Sequence, residues 1–185
     1  MKGVIRTFMP VPREGFELCH PRDPSAFEVV NSLVDGNPRS GSWVPLGVQI
    51  VNSEYGKHLH VSNAPWMTAG CLVFDQRALD KIGSVLLSAG ELLPLDCSER
   101  NVWAFNPTAV LPCLDEASSS VLRTDSGRIF HVSKYSMKED VVAGHLLYKC
   151  DAFRVSPVFM NQGFIDAWHS ADLAGLEFDQ VWSNE

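Results

Sequence analysis

His58 and His60, two apart in a short alternating stretch, are the first residues whose type and spacing suggest chemistry, since two imidazoles on one strand face can share a metal ion. No third or fourth ligand stands at a credible spacing, and the nearest acid, Glu54, falls in the turn before them, so the pair reads as exposed strand histidines. Cys19 beside His20 has the residue types of a nucleophile and its base, yet sequence neighbours point apart and such pairs come from distant segments. One of His131, His145 or His169 with a carboxylate and Ser133 would make a dispersed triad, a combination that any chain of 185 residues offers. Gly-x-Ser-x-Gly, His-Glu-x-x-His, Gly-x-Gly-x-x-Gly, the phosphate-binding loop and the EF-hand loop do not occur. The residues therefore read as a non-enzyme, with no catalytic residue, no cofactor and no metal assigned.

The elements that would position these residues begin with a segment rich in Pro and Gly over the first sixty or so positions, where extended pieces and turns are expected rather than long helices. One or two helical turns are expected over 25–34, strands over 48–51 and 57–61, and a hairpin joining them through 52–56. The clearest local pattern follows: a buried strand over 71–74, Asp75 as N-cap, and Ala78, Leu79, Ile82, Val85 and Leu86 at helical spacing before Gly90 and a strand over 91–95. Shifting the register by 86 positions returns the unit: a strand over 158–160, Asn161 as N-cap, Phe164, Ile165, Trp168 and Ala171 as the apolar stripe, then a strand over 177–181. Over 71–95 against 157–181 the identities are Gln76/Gln162, Asp80/Asp166, Ser84/Ser170, Leu87/Leu173 and Glu91/Glu177, five in 25. Amphipathic helices between strands share that much by pattern alone, so a true pseudo-repeat and a coincidence of pattern stand level. Further strands are expected over 102–105, 128–132 and 146–148, a helical turn over 108–114, and an exposed polar loop over 115–120. The fold class is α+β, a mixed sheet with a few packed helices, in one domain spanning 1–185.

With 45% hydrophobic and 20% charged residues the chain is of ordinary globular composition, and a domain of this length buries roughly 70% of its unfolded surface without staples. No apolar run approaches the ~20 residues of a spanning helix, and Arg13 and Glu14 arrive before a signal-peptide core can form, so neither membrane insertion nor export is expected. Five cysteines at wide spacing (Cys19, Cys71, Cys97, Cys113, Cys150) suit a reducing compartment, and a cytoplasmic location is expected. Cys97 and Cys113 read as small core residues. Lys+Arg and Asp+Glu balance at 8 and 8 over 1–90 but stand at 7 and 14 over 91–185, so the whole net charge of −7 lies in the second half. Such a chain has no electrostatic reason to seek nucleic acid; a basic protein surface is the partner it would attract. Trp103 and Trp168 are expected in the core, as are Trp43, Trp66 and Trp182, although these last three lie in segments where an aromatic can anchor a partner.

Taken in order, Asn63-Ala64-Pro65-Trp66, the strand-helix unit ending in Glu91-Leu92-Leu93-Pro94-Leu95, Trp103-Ala104-Phe105-Asn106, Leu114-Asp115-Glu116-Ala117-Ser118, Ala143-Gly144-His145-Leu146-Leu147-Tyr148 and the closing Gly175-Leu176-Glu177-Phe178-Asp179-Gln180-Val181-Trp182 resemble a family of bacterial immunity proteins from polymorphic toxin systems, formerly a domain of unknown function. The resemblance spans 36–182 and leaves 1–35, a Pro-rich segment, unmatched; Gly83, inside the first helix, departs from a good helix former at a cost of about 1 kcal/mol. It implies a protein that binds a cognate antibacterial toxin, a nuclease in many such systems, and neutralises it by non-covalent occlusion. Asp115, Glu116, Asp125, Glu139 and Asp140 are the acidic residues expected to face that toxin, with solvated turns and caps as their alternative role. The other readings are a regulatory or scaffold protein-binding module and a small cytoplasmic enzyme with a dispersed His/carboxylate site.

Overall fold

The structure is a computed structural model and describes residues 3–153 and 155–185. β1 (Arg6–Pro12) and β2 (Leu18–Pro21) lead through a 3-10 turn into α1 (Phe27–Leu33); β3 (Gly47–Val51) and the small pair β4 (Ser53–Glu54) and β5 (Lys57–His58) follow. Next come β6 (Val73–Asp75), α2 (Gln76–Ala89), β7 (Gly90–Pro94), β8 (Asp96–Cys97), β9 (Val102–Pro107) and β10 (Val110–Leu111). The chain closes with β11 (Ser120–Arg123), β12 (Ile129–Lys134), α3 (Glu139–Val142), β13 (Leu147–Cys150), β14 (Phe159–Asn161), α4 (Gln162–Ser170) and β15 (Leu176–Ser183). The fold is α+β, as the sequence pattern implies.

The two strand–helix–strand stretches are structural copies. Asp75 caps α2 by accepting from Ala78 N (2.9 Å), and Asn161 caps α4 by accepting from Phe164 N (3.2 Å). One turn on, Gln76 Nε2 donates to Asp80 Oδ1 (2.8 Å) and Gln162 Nε2 to Asp166 Oδ1 (2.9 Å), so two of the shared identities make the same bond in both copies. The sheets repeat too. β9 lies between β6 and β7, antiparallel to both, and β1 lies between β14 and β15, antiparallel to both. The inserted strand comes from just beyond the first copy in one case and from the start of the chain in the other. The closing glutamates have diverged: Glu91 accepts from Arg39 N (2.8 Å) and Ser40 N (3.2 Å), whereas Glu177 faces Arg13 at 3.8 Å.

Period-two alternation sends successive side chains into different cores. Phe74, Phe105, Phe8 and Met160 join the α2 and α4 stripes, including Ile82, Phe164 and Trp168, in the central core. Their neighbours Val73, Ala104 and Leu93 pack under α1, β2 and β3, while Met9, Phe159 and Tyr148 pack under β11, β12 and α3. Asn63, buried between the copies, ties them together: its Nδ2 donates to Asp75 Oδ2 (3.1 Å) and its Oδ1 accepts from Ala174 N (3.1 Å).

Several expectations need correction. The helical turn over 108–114 is instead β10, paired in parallel with β13 (Val110↔Lys149, Leu111↔Cys150), because Pro112 biases the residue before it toward extended backbone. The hairpin does not join 48–51 to 57–61. β3 pairs with β2, and the hairpin is the tighter β4–β5 pair closed by Tyr55 and Gly56. The Pro-rich start holds a central strand, β1. Arg13 N donates to Gly175 O ahead of β15 (3.1 Å), so by alternation the imino sides of Pro10 and Pro12 point away from β15; β14 covers only Thr7 and Phe8, and no ladder bond is lost.

Candidate functional site

Glu139 and Asp140 form the first turn of α3, held in place by the buried Val142 and ended by Gly144 in the left-handed region at φ 84°. Opposite them stand the residues leading into β1 and the first turn of α4. Between these elements is an open cleft of about 480 Å³ lined by Val4, Arg6, Glu139, Asp140, Gln162 and Gly163 among others. Gly163 leaves little room for a side chain, since a Cβ there would meet Leu146 Cδ2 at 3.1 Å and the capping Asn161 Oδ1 at 3.2 Å. Among the described residues Arg6 is the only cation in the lining, and its guanidinium is engaged by Glu185 at 3.0 Å. The cleft thus presents an acidic rim, Glu139 and Asp140, beside backbone and amide groups.

The other expected partner-facing acids lie elsewhere and do different things. Asp115 folds back on its own loop: its carboxylate accepts from Ala117 N (3.2 Å), and hydrogen bonds from Ser118 and this amide hold it below the usual carboxylate range. Glu116 pairs with Arg123, the last residue of β11 before the hairpin turn. It borders a separate depression of about 410 Å³, and this shares no lining residue with the first. Asp125 sits exposed at the hairpin tip, in a turn pinned by Thr124 N to Arg128 O (2.8 Å). The five acids are therefore not one patch: Glu139 and Asp140 rim the cleft, Asp115 is engaged within its own loop, Glu116 is paired with Arg123 of β11, and Asp125 sits at a hairpin tip.

The residues examined for chemistry are also separated. Cys19 is buried while His20 turns outward against Phe27 (5.3 Å between rings), so the neighbours do point apart. His58 and His60 are exposed, and His131, His145 and His169 sit on β12, ahead of β13 and on α4 respectively. Among the described residues no group of three or more His, Cys, Asp or Glu could hold a metal ion, and no helix is long and apolar enough to cross a membrane. Trp168 is fully buried, and the other four tryptophans are half-buried, with Trp43 Nε1 donating to Pro94 O (2.7 Å).

Sequence reasoning did not foresee that Arg6 and its neighbours would face α3 across the cleft. The signal was hidden because β1 joins the sheet through partners more than 140 residues away, such as Thr7↔Asn161. No protein-family model matches the chain, and a search of curated proteins finds no match.

Proposed function

We propose that this protein is an immunity protein: it binds a cognate antibacterial toxin through the acidic cleft and blocks it without covalent chemistry. The observation that carries the reading is an open cleft with Glu139 and Asp140 together on its rim. A toxin that handles nucleic acid must carry a basic cleft of its own, and a basic loop or side chain from it fits an acidic rim. The net charge of −7 adds long-range attraction that speeds encounter. The order of segments that resembles the immunity family supports the same role.

Charge reversal tests the reading. The double variant Glu139→Lys/Asp140→Lys should slow association with the toxin encoded beside this gene about tenfold or more at low salt, the difference shrinking as salt rises. Asp115→Lys/Glu116→Lys should leave association nearly unchanged and lower stability instead, since Asp115 is used inside its own loop and Glu116 by Arg123 of β11. Equal rates for the wild type and the Glu139/Asp140 variant would remove the cleft from the interface. A tight complex with a protein that is not a toxin would favour the regulatory-module reading.

A further inference from the structure

Tyr55 is, at 96% exposure, the most exposed large apolar side chain among the described residues. It opens the turn between β4 and β5 with φ 48°, and Gly56 follows at 76°. A two-residue hairpin turn of this kind needs positive φ at both places, and Asn, Asp or Gly fill the first readily whereas a bulky ring does not. Neither the ring nor the hydroxyl makes a hydrogen bond or ring contact with the other described residues. Among the described residues no hydrogen bond or ring contact offsets the backbone cost of having tyrosine here.

The support under Tyr55 is firm. Ser53 pairs with His58 and Glu54 with Lys57, and Leu59 N donates to Asn52 O (2.8 Å) to continue the ladder. The base is fastened to the β1–β2 connection by His60 N to Gly15 O (2.8 Å) and Glu17 N to His60 O (2.9 Å), with the Phe16 and His60 rings 5.4 Å apart. Glu54 and Lys57 sit opposite each other, so the arm is neutral in an acidic molecule. Its recognition must rest on shape and on the phenol rather than on charge.

We propose that Tyr55 is the anchor of a protein-docking arm whose ring enters a preformed apolar pocket on the partner, with a hydrogen-bond acceptor inside that pocket for the phenolic O–H. This rests on the reading of the chain as a toxin-binding protein, and it names the element that reaches into the toxin. Tyrosine suits the task because it brings a large, amphipathic contact area on few rotatable bonds, which is why it recurs among interface hot spots.

The probe is the catalytically inactivated product of the toxin gene beside this one, titrated calorimetrically with full-length wild type, Tyr55→Ala, Tyr55→Asn and Tyr55→Phe. Tyr55→Asn should melt at or above the wild-type temperature, because it creates the favoured Asn-Gly turn, while its Kd rises about tenfold or more. Tyr55→Ala should weaken binding similarly, and Tyr55→Phe by only a few fold. Undiminished binding by both Tyr55→Ala and Tyr55→Asn overturns the arm and leaves the toxin-binding reading standing. A Tyr55→Asn protein that melts several degrees lower overturns it as well, by showing that the ring serves the fold. A wild type that does not bind the toxin at all ends both proposals together.

Discussion

Replacing Asn63 with alanine removes the side-chain part of the polar link between the two strand–helix–strand copies, leaving the backbone bonds Asn63 N to Ala174 O (2.8 Å) and Asp75 N to Asn63 O (3.0 Å), and its cost can be worked from the contacts. Asn63 is 7% exposed, and so is Asp75, whose Oδ2 accepts from Asn63 Nδ2 at 3.1 Å. A hydrogen bond to a charged, buried acceptor contributes roughly 1.5–3 kcal/mol, and the Ala174 N–H left without Asn63 Oδ1 costs a further 1–3 kcal/mol or so. Asp75 keeps its Oδ1 bond to Ala78 N, so the α2 cap survives and the loss stays near 3–5 kcal/mol in total, an order-of-magnitude figure. With a urea dependence of roughly 2 kcal/mol per molar, the unfolding midpoint should fall by about 2 M. Equilibrium urea denaturation followed by tryptophan fluorescence reads this directly, since Trp168 lies in the core that both copies share. In an Asp75→Ala background the same substitution should cost less by roughly 1–2 kcal/mol, the coupling between two contacting groups. A loss below about 1 kcal/mol, or strict additivity with Asp75→Ala, would refute the claim that Asn63 holds the copies together.

Two other substitutions separate glycines by what surrounds them. Gly83→Ala, deep in α2 with only Leu79 Cβ at 3.9 Å from the new methyl, should raise stability by about 0.5–1 kcal/mol in thermal or urea unfolding. Gly90→Ala should destabilise, because the methyl would overlap the Asn106 carbonyl oxygen. Lys149, 3% exposed, donates to Gly70 O (2.8 Å) and to Val34 O at the end of α1, and burial pushes its ammonium down to about 8 from an ordinary 10.5. Because the folded value is the lower one, the unfolded chain holds more protons between the two, and the charge penalty on the folded state fades as pH rises. Relative to Lys149→Met, the wild type should therefore gain roughly 1 kcal/mol of unfolding free energy from about pH 8 to about pH 9; a difference that does not vary with pH would refute it.

The parts of the fold that could be read from the sequence are those set by local chemistry. Asp75 and Asn161 are recognisable caps, and the apolar stripes behind them fix α2 and α4 with little help from the rest of the chain. The hidden parts depend on distant partners. Pro10 and Pro12 look like interruptions until the side of the strand they face is known, and β11 is too short and polar to stand out before β12 is seen beside it. Asn63 is one polar residue among many until Ala174, more than a hundred positions away, comes to meet it. The candidate site divides the same way: the sequence shows that Glu139 and Asp140 carry charge, and only the folded chain puts Arg6 and Gln162 across a cleft from them while turning Asp115 back on its own loop and Glu116 toward Arg123 of β11.

The central claim is that this molecule acts by occupying another protein, and survival of a sensitive host decides it most directly. The active toxin encoded beside this gene is expressed alone, with the wild-type chain, or with the Glu139→Lys/Asp140→Lys variant, and surviving cells are counted. Wild type should restore growth and the variant should restore it poorly while folding normally; killing that proceeds equally with and without the wild-type chain would contradict the account.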